Sequence, residues 1–213
     1  MSEILSKISS AVITGNVGEM VGLTRAALDE GLSPKEILDN GLMPGMDYVG
    51  EQFRKGEMYV PEVLLSARAM QASMDIVKPL LAETGAQMVG KAVLGTVKGD
   101  LHDIGKNLVG MMLEGAGFEV IDLGKNVAPE QFLEAIKKEK PDIVGMSALL
   151  TTTMRSMAAT IKVLEEAGVR DQVKVMVGGA PVTSDYAEQI GADGYASNAP
   201  AAAEMARKFV GVV

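Results

Sequence analysis

Along the first 88 residues, apolar positions recur at helical spacing. Ile4, Leu5, Ile8 and Val12 make one stripe; Met20, Leu23, Ala27 and Leu28 make a second. Ser33-Pro34-Lys35-Glu36 reads as a helix start, with a capping serine, proline at the first helical position and an acid in the first turn. A longer helix follows Pro61, through Val63, Leu64, Ala67, Met70, Met74, Val77 and Leu81. No segment in this stretch alternates like a strand, and the pattern predicts a four-helix bundle.

From Lys91 the period changes. Short β-branched runs at 92–97, 118–123, 142–148, 174–177 and 194–197 alternate with helical stretches at 105–115, 129–139, 153–167, 184–190 and 199–209. That alternation predicts an α/β domain: a five-stranded parallel sheet with helices on both faces, in the flavodoxin-like arrangement of the Rossmann-like folds. The expected domains are therefore 1–88, a helical cap, and 89–213, the sheet domain. Glycine and polar residues at 83–90 mark the expected linker and hinge.

Composition narrows the chemistry. The 213 residues are 47% hydrophobic and 23% charged, with a net charge of −8. No Lys/Arg cluster points to a nucleic acid. There is no cysteine, which removes thiolate metal sites, iron–sulfur clusters and thiol nucleophiles. The start lacks the basic-then-apolar order of a signal peptide, and no apolar run reaches membrane-spanning length, so a cytoplasmic protein with no membrane association is expected. His102 is the single histidine, so any imidazole chemistry must run through it.

In such sheets ligands gather at the carboxyl ends of the strands. After the first strand comes Lys98-Gly99-Asp100-Leu101-His102-Asp103-Ile104-Gly105-Lys106; after the third, Ser147-Ala148-Leu149-Leu150-Thr151-Thr152-Thr153; after the fourth, Gly178-Gly179. Asp100, two residues before His102, can accept from one ring nitrogen and leave the other to bind a metal. Gly178-Gly179 lets backbone approach a ligand, and the hydroxyls supply donors and acceptors. Each feature alone has a plainer reading. A lone histidine is usually a surface residue, paired glycines a turn, Thr152 or Thr153 a helix cap, and Lys98, Asp103 and Lys106 solvated charges.

Together, Asp100-x-His102-x-x-Gly105, then Ser147-x-Leu149, then Gly178-Gly179 resemble the cobalamin-binding domain of corrinoid proteins and of methionine synthase. The first half resembles the helical cap of the methyl-transferring members, through Gly45-Met46-Asp47-Tyr48-Val49-Gly50-Glu51-Gln52-Phe53, Gly56-Glu57-Met58-Tyr59-Val60-Pro61 and Ser66-Ala67-Arg68-Ala69-Met70. The likeness covers nearly the whole chain. It is strongest to the stand-alone corrinoid proteins of methylamine, methanol and methoxyaromatic metabolism.

This resemblance implies a cobalamin or related corrinoid, cycling between methylated cob(III)alamin, cob(I)alamin and cob(II)alamin. His102 would be the axial cobalt ligand in place of the cofactor's own base, Asp100 would hold the other ring nitrogen, and the relay would continue to Thr153. Gly99, Leu101, Asp103, Ile104 and Gly105 would surround the ligand. Ser147, Leu149, Thr151, Gly178, Gly179 and Ala199 would line the slot for the nucleotide tail. Phe53 and Val60 would cover the upper face. The implied function is methyl carriage in one-carbon metabolism, from a substrate-specific methyltransferase to a second one serving tetrahydrofolate or a thiol, with a reductive activase as a further partner. The competing readings are a cobalamin-dependent sensor, a small mutase subunit, and a flavodoxin-like domain for a phosphate or nucleotide.

Overall fold

The computed structural model describes residues 2–85 and 88–212. The chain divides into two compact units, Met1–Met88 with Gly115–Gly117, and Val89–Glu114 with Phe118–Val213. Of the predicted linker, residues 83–85 finish a helix and its left-handed Gly85 cap, while Ala86 and Gln87 lie outside the described residues.

The first unit is helical. It contains α1 (Glu3–Ile13), α2 (Val17–Asp29), the single turn α3 (Pro34–Ile37), α4 (Met43–Lys55) and α5 (Val60–Thr84). Ser33 and Glu36 form the expected capping box, with the Ser33 N–H donating to Glu36 Oε2 at 2.9 Å and the Glu36 N–H to Ser33 Oγ at 3.2 Å. A π-turn, Leu38–Leu42, joins α3 to α4 and was not predicted. Its Gly41 and the following Gly45 let the chain press on α1. A Cβ at Gly45 would lie 2.8 Å from Val12 Cβ, and one at Gly41 3.1 Å from Ile8 Cγ2. Across the bundle, the hydroxyls of Thr24 and Ser73 are both buried and satisfy each other at 2.7 Å.

The second unit carries β1 (Gly90–Thr96), α6 (Ile104–Gly115), β2 (Phe118–Asp122), α7 (Pro129–Glu139), β3 (Ile143–Ser147), α8 (Thr151–Glu166), β4 (Lys174–Gly178), α9 (Ser184–Gln189), β5 (Gly194–Ala196) and α10 (Ala199–Phe209). All pairings are parallel, in the order β2-β1-β3-β4-β5, so the expected flavodoxin-like architecture is present. The central strands are apolar on both faces, as helical cover on both sides demands: Ala92, Val93, Leu94, Ile143, Val144, Met146, Val175, Met176 and Val177 are all buried. On one face Phe132 of α7 packs with Val93, Val144, Met157 and Ile161. Strand order reverses between β1 and β3, which pair Thr96 with Ser147, and the loops that follow these two residues share the crevice.

Gly95 keeps that end of β1 flat under the Phe132 ring; a Cβ there would stand 2.6 Å from Phe132 Cζ. Gly95→Ala is expected to cost roughly 1–3 kcal/mol by overpacking. Phe132→Leu in the same chain should recover part of that loss in a urea-unfolding double-mutant cycle, and simple additivity would show that the ring is not the obstacle.

Candidate functional site

The loop between β1 and α6 turns sharply. Val97, Lys98, Gly99 and Asp100 form a β-turn closed by the Asp100 N–H donating to the Val97 carbonyl at 3.0 Å, with Gly99 at φ +85° in the third position. The turn drops the Asp100 side chain into the crevice, where it is 0% exposed. A lone buried carboxylate would be costly, but this one is fully partnered. Oδ1 accepts from His102 Nδ1 at 2.8 Å and from the His102 N–H at 3.0 Å. Oδ2 accepts from the Leu149 N–H at 2.8 Å, the Leu150 N–H at 3.3 Å and the Thr153 hydroxyl at 2.7 Å. Burial pushes the Asp100 pKa up, but the donors from Thr153, His102 and Leu149 outweigh it and hold the group well below the usual carboxylate range.

Two consequences follow. Asp100 sits at the amino end of α8 although fifty residues away: it takes the N–H groups of Leu149 and Leu150, just before the first helical residue, where the positive end of the helix favours an anion. An ionised Asp100 can only accept, so His102 Nδ1 carries a proton and, in the neutral ring, the lone pair lies on Nε2. The ring itself is half open, with 50% of the side chain accessible. Around it Leu101, Ile104, Leu149 and Leu150 are exposed apolar residues, 63% and 77% for the first two. The result is a donor nitrogen rising from an apolar rim.

The loop is held rigid although its tip is exposed. The Thr96 hydroxyl donates to the His102 carbonyl at 3.2 Å, and the Ser156 hydroxyl to the Lys98 carbonyl at 3.1 Å. Asn126, from the connection after β2, accepts from the Gly99 N–H at 2.8 Å and donates its own N–H to the Asp100 carbonyl at 3.0 Å.

Asp100, His102, Thr153 and Leu149 are thus brought into one network. Thr153 is buried and bonded to Asp100, its hydroxyl also lying 2.8 Å from the Leu150 carbonyl, which is more than the helix cap that the plainer reading allowed. Ser147, Gly178 and Ala196 sit side by side at the carboxyl ends of β3, β4 and β5. Thr151 opens α8 and Ala199 opens α10. Asp103 is half-buried just before α6. Gly105, in the first turn of α6, has open space where a Cβ would stand. Phe53 and Val60 belong to the helical unit, one near the end of α4 and the other opening α5, and both are half-buried.

One plainer reading needs correction. Lys106 is not a solvated charge. It is 4% exposed, and its ammonium donates to Asn107 Oδ1 at 2.6 Å and to Asp122 Oδ2 at 2.5 Å, tying α6 to the end of β2. The paired glycines stand close to the protein's own backbone: a Cβ at Gly179 would stand 1.9 Å from the Ala148 carbonyl oxygen at φ +124°, and one at Gly178 2.9 Å from the Ala196 carbonyl oxygen. Asn126, Ser156 and Thr96 were missed. The signal for Asn126 was present in Gly124-Lys125-Asn126, a turn-forming run after the second strand, whose loop was passed over.

Among the described residues no group of three or more His, Cys, Asp or Glu stands together as a metal cage. One oriented imidazole nitrogen inside an apolar rim instead fits a metal already ringed by its own macrocycle. The site thus offers a single preoriented nitrogen, as a cofactor that carries its own metal requires. Comparison with known proteins agrees: models of two B12 binding domains match residues 90–204 and 4–78. The chain is 42% identical over 211 residues to a corrinoid protein of Desulfitobacterium hafniense (strain Y51), covering 98% of both. It is 43% identical over 199 residues to trimethylamine corrinoid protein 2 of Methanosarcina mazei, covering 92% of this chain and 91% of that one. A chain of the methanol:cobalamin methyltransferase complex from Methanosarcina barkeri superposes with a TM-score of 0.88 at 32% identity, covering 100% of this chain and 81% of that one. The protein belongs to the B12-binding corrinoid protein family, and it binds cobalamin or a related corrinoid.

Because the folded-state pKa of Asp100 is depressed, its stabilising contribution is complete above the ordinary aspartate value of about 3.9 and is lost as pH falls below it. Asp100→Asn leaves a donor facing donors and is expected to cost about 1–3 kcal/mol at pH 7. The variant's stability should also fall less steeply than the wild type's below about pH 4; parallel acid-unfolding curves would contradict the network.

A second test concerns Gly179. Gly179→Ala is expected to lower thermal stability and corrinoid binding together, because the methyl group meets backbone. A variant that lost binding at unchanged stability would assign the glycine to the ligand alone.

Proposed function

We propose that this protein is a methyl carrier, holding a corrinoid with His102 on cobalt in place of the cofactor's own base. It would receive a methyl group from a substrate-specific methyltransferase and yield it to a second methyltransferase serving tetrahydrofolate or a thiol. A reductive activase would restore a carrier that had been oxidised. The observation that carries the reading is the half-exposed His102 ring, set by the buried Asp100 with Nε2 free. The relatives support the direction of the chemistry: one is a trimethylamine corrinoid protein, another a dimethylamine corrinoid protein of Methanosarcina barkeri, and the structural match comes from a methanol:cobalamin methyltransferase complex.

Bound corrinoid supplies a cobalt centre that is nucleophilic when fully reduced and carries the methyl group. The chain's residues do the rest. Asp100 keeps the proton on Nδ1, so the ring presents Nε2 without first changing tautomer. Asp100 would stay anionic throughout, its charge held by the Thr153 hydroxyl and the N–H groups of Leu149 and Leu150, and would keep the ring oriented whether or not Nε2 held the cobalt. Leu101, Ile104, Leu149 and Leu150 shed water from the ring's surroundings. Gly105, with open space where a Cβ would stand, would leave room for the nucleotide tail, and Ser147, Thr151 and Ala199 would line its slot.

The test offers reduced, cobalamin-loaded protein a methylamine or methanol together with the methyltransferase for that substrate. The expected result is one methyl group per chain, with His102→Ala charged at least about tenfold more slowly, the loss of a step favoured by about 1.4 kcal/mol. Equal charging of both proteins would show that His102 is not part of the carrier.

A further inference from the structure

We propose that Asn126 is the positioning residue for the Asp100–His102 loop, orienting the ligand histidine without touching it. The inference rests on the reading that His102 binds cobalt and adds a residue outside the motif that carries that reading.

Among the described residues Asn126 and Lys140 are the non-glycine positions with positive φ, and Asn126 stands at +57°. Asparagine tolerates that conformation better than most residues because its short amide can bond locally. Here the amide bonds across to another loop instead. The left-handed kink aims two groups of one residue at the same neighbour. The side-chain oxygen accepts from the Gly99 N–H at 2.8 Å, and the backbone N–H donates to the Asp100 carbonyl at 3.0 Å. Asn126 therefore grips the chain on both sides of the Gly99–Asp100 junction. Its side chain is exposed, so packing does not account for it.

The grip falls where the loop is otherwise loosest. Gly99 has the widest backbone freedom in the segment, and any rotation there swings Asp100 and, two residues on, His102. Asp100 must meet its five donors at 2.7–3.3 Å, a geometry that a small swing would spoil. The connection bearing Asn126 is itself anchored. Val97 bridges to Val127, the Val127 N–H donates to the Thr96 carbonyl at 2.9 Å, and the Thr96 N–H donates to the Gly124 carbonyl at 2.9 Å. On the opposite side, the Ser156 hydroxyl holds the Lys98 carbonyl. The loop is thus clamped between the β2–α7 connection and α8, and the Asn126 amide is the part of the clamp that a single substitution can remove.

Two substitutions separate the parts of this residue. Asn126→Gly keeps the left-handed backbone and the backbone N–H but deletes the acceptor. Asn126→Asp keeps both the conformation and an acceptor for Gly99. Cofactor-free protein labelled with [15N]histidine gives one imidazole signal set, since His102 is the single histidine. The wild type should show the Nδ1–H tautomer and a Gly99 amide protected from hydrogen exchange. Asn126→Gly should mix in the Nε2–H tautomer and bind cobalamin about fivefold more weakly, the fold-change of one ordinary hydrogen bond. It should also broaden the nitrogen splitting in the cobalt(II) spectrum. Asn126→Asp should restore all three. A glycine variant with wild-type signals, an aspartate variant that fails to restore them, or a freely exchanging Gly99 amide in the wild type would each overturn the proposal. Loss of the His102 reading would look different: the labelled wild type itself would show the threefold 14N splitting of the cofactor's own base, or none, in place of the twofold 15N splitting, while the tautomer and exchange data would still judge Asn126.

Discussion

The charge on Asp100 is the constraint around which the sheet unit is built. A carboxylate with no exposed surface survives only if its lone pairs are filled, and here they are filled from three places: its own loop, the start of α8, and a hydroxyl one turn further on. Because the donors come from different elements, the carboxylate fixes those elements relative to one another. It joins the β1–α6 loop to the amino end of α8 across the point where strand order reverses. The same bonds that make burial tolerable set the tautomer of His102. Stability and ligand geometry are therefore one arrangement, and a change to either is felt in both.

Much of this was legible in the sequence, for physical reasons that differ by residue. The strands were visible because helices cover both faces of the sheet, so β1 and β3 had to read as unbroken apolar runs. Asp100 and His102 were visible through the combination Asp100-x-His102-x-x-Gly105, Ser147-x-Leu149 and Gly178-Gly179, each after a strand, since a lone histidine by itself reads as a surface residue. Lys106 misled because its burial depends on Asp122, sixteen residues away on another strand. Gly179 was noticed for the missing side chain; that the Ala148 carbonyl stands in that space was not readable, because it depends on the fold bringing β3 and β4 together. Asn126 was passed over because its work consists of two bonds to a distant loop, and no local pattern records them.

In the helical unit the stripes and the Ser33 cap were readable because they are local. The π-turn at Leu38–Leu42 was not, since it reflects how closely Gly41 and Gly45 let the chain approach α1. Phe53 and Val60 are half-buried, one near the end of α4 and the other opening α5. Among the described residues no helix is long and apolar enough to cross a membrane, in keeping with stripes that are amphipathic rather than uniformly apolar.

The central claim is that one imidazole nitrogen, oriented in advance by Asp100, is the protein's ligand to cobalt. Isotopic substitution tests it without altering any residue. Protein grown on [15N]histidine and on [14N]histidine is loaded with cobalamin whose own base nitrogens are unlabelled, and reduced to cobalt(II). The account predicts that the threefold nitrogen splitting seen with 14N becomes twofold with 15N, because the coupled nucleus belongs to His102. A splitting that stays threefold in both samples would place the cofactor's own base on the metal and contradict the account.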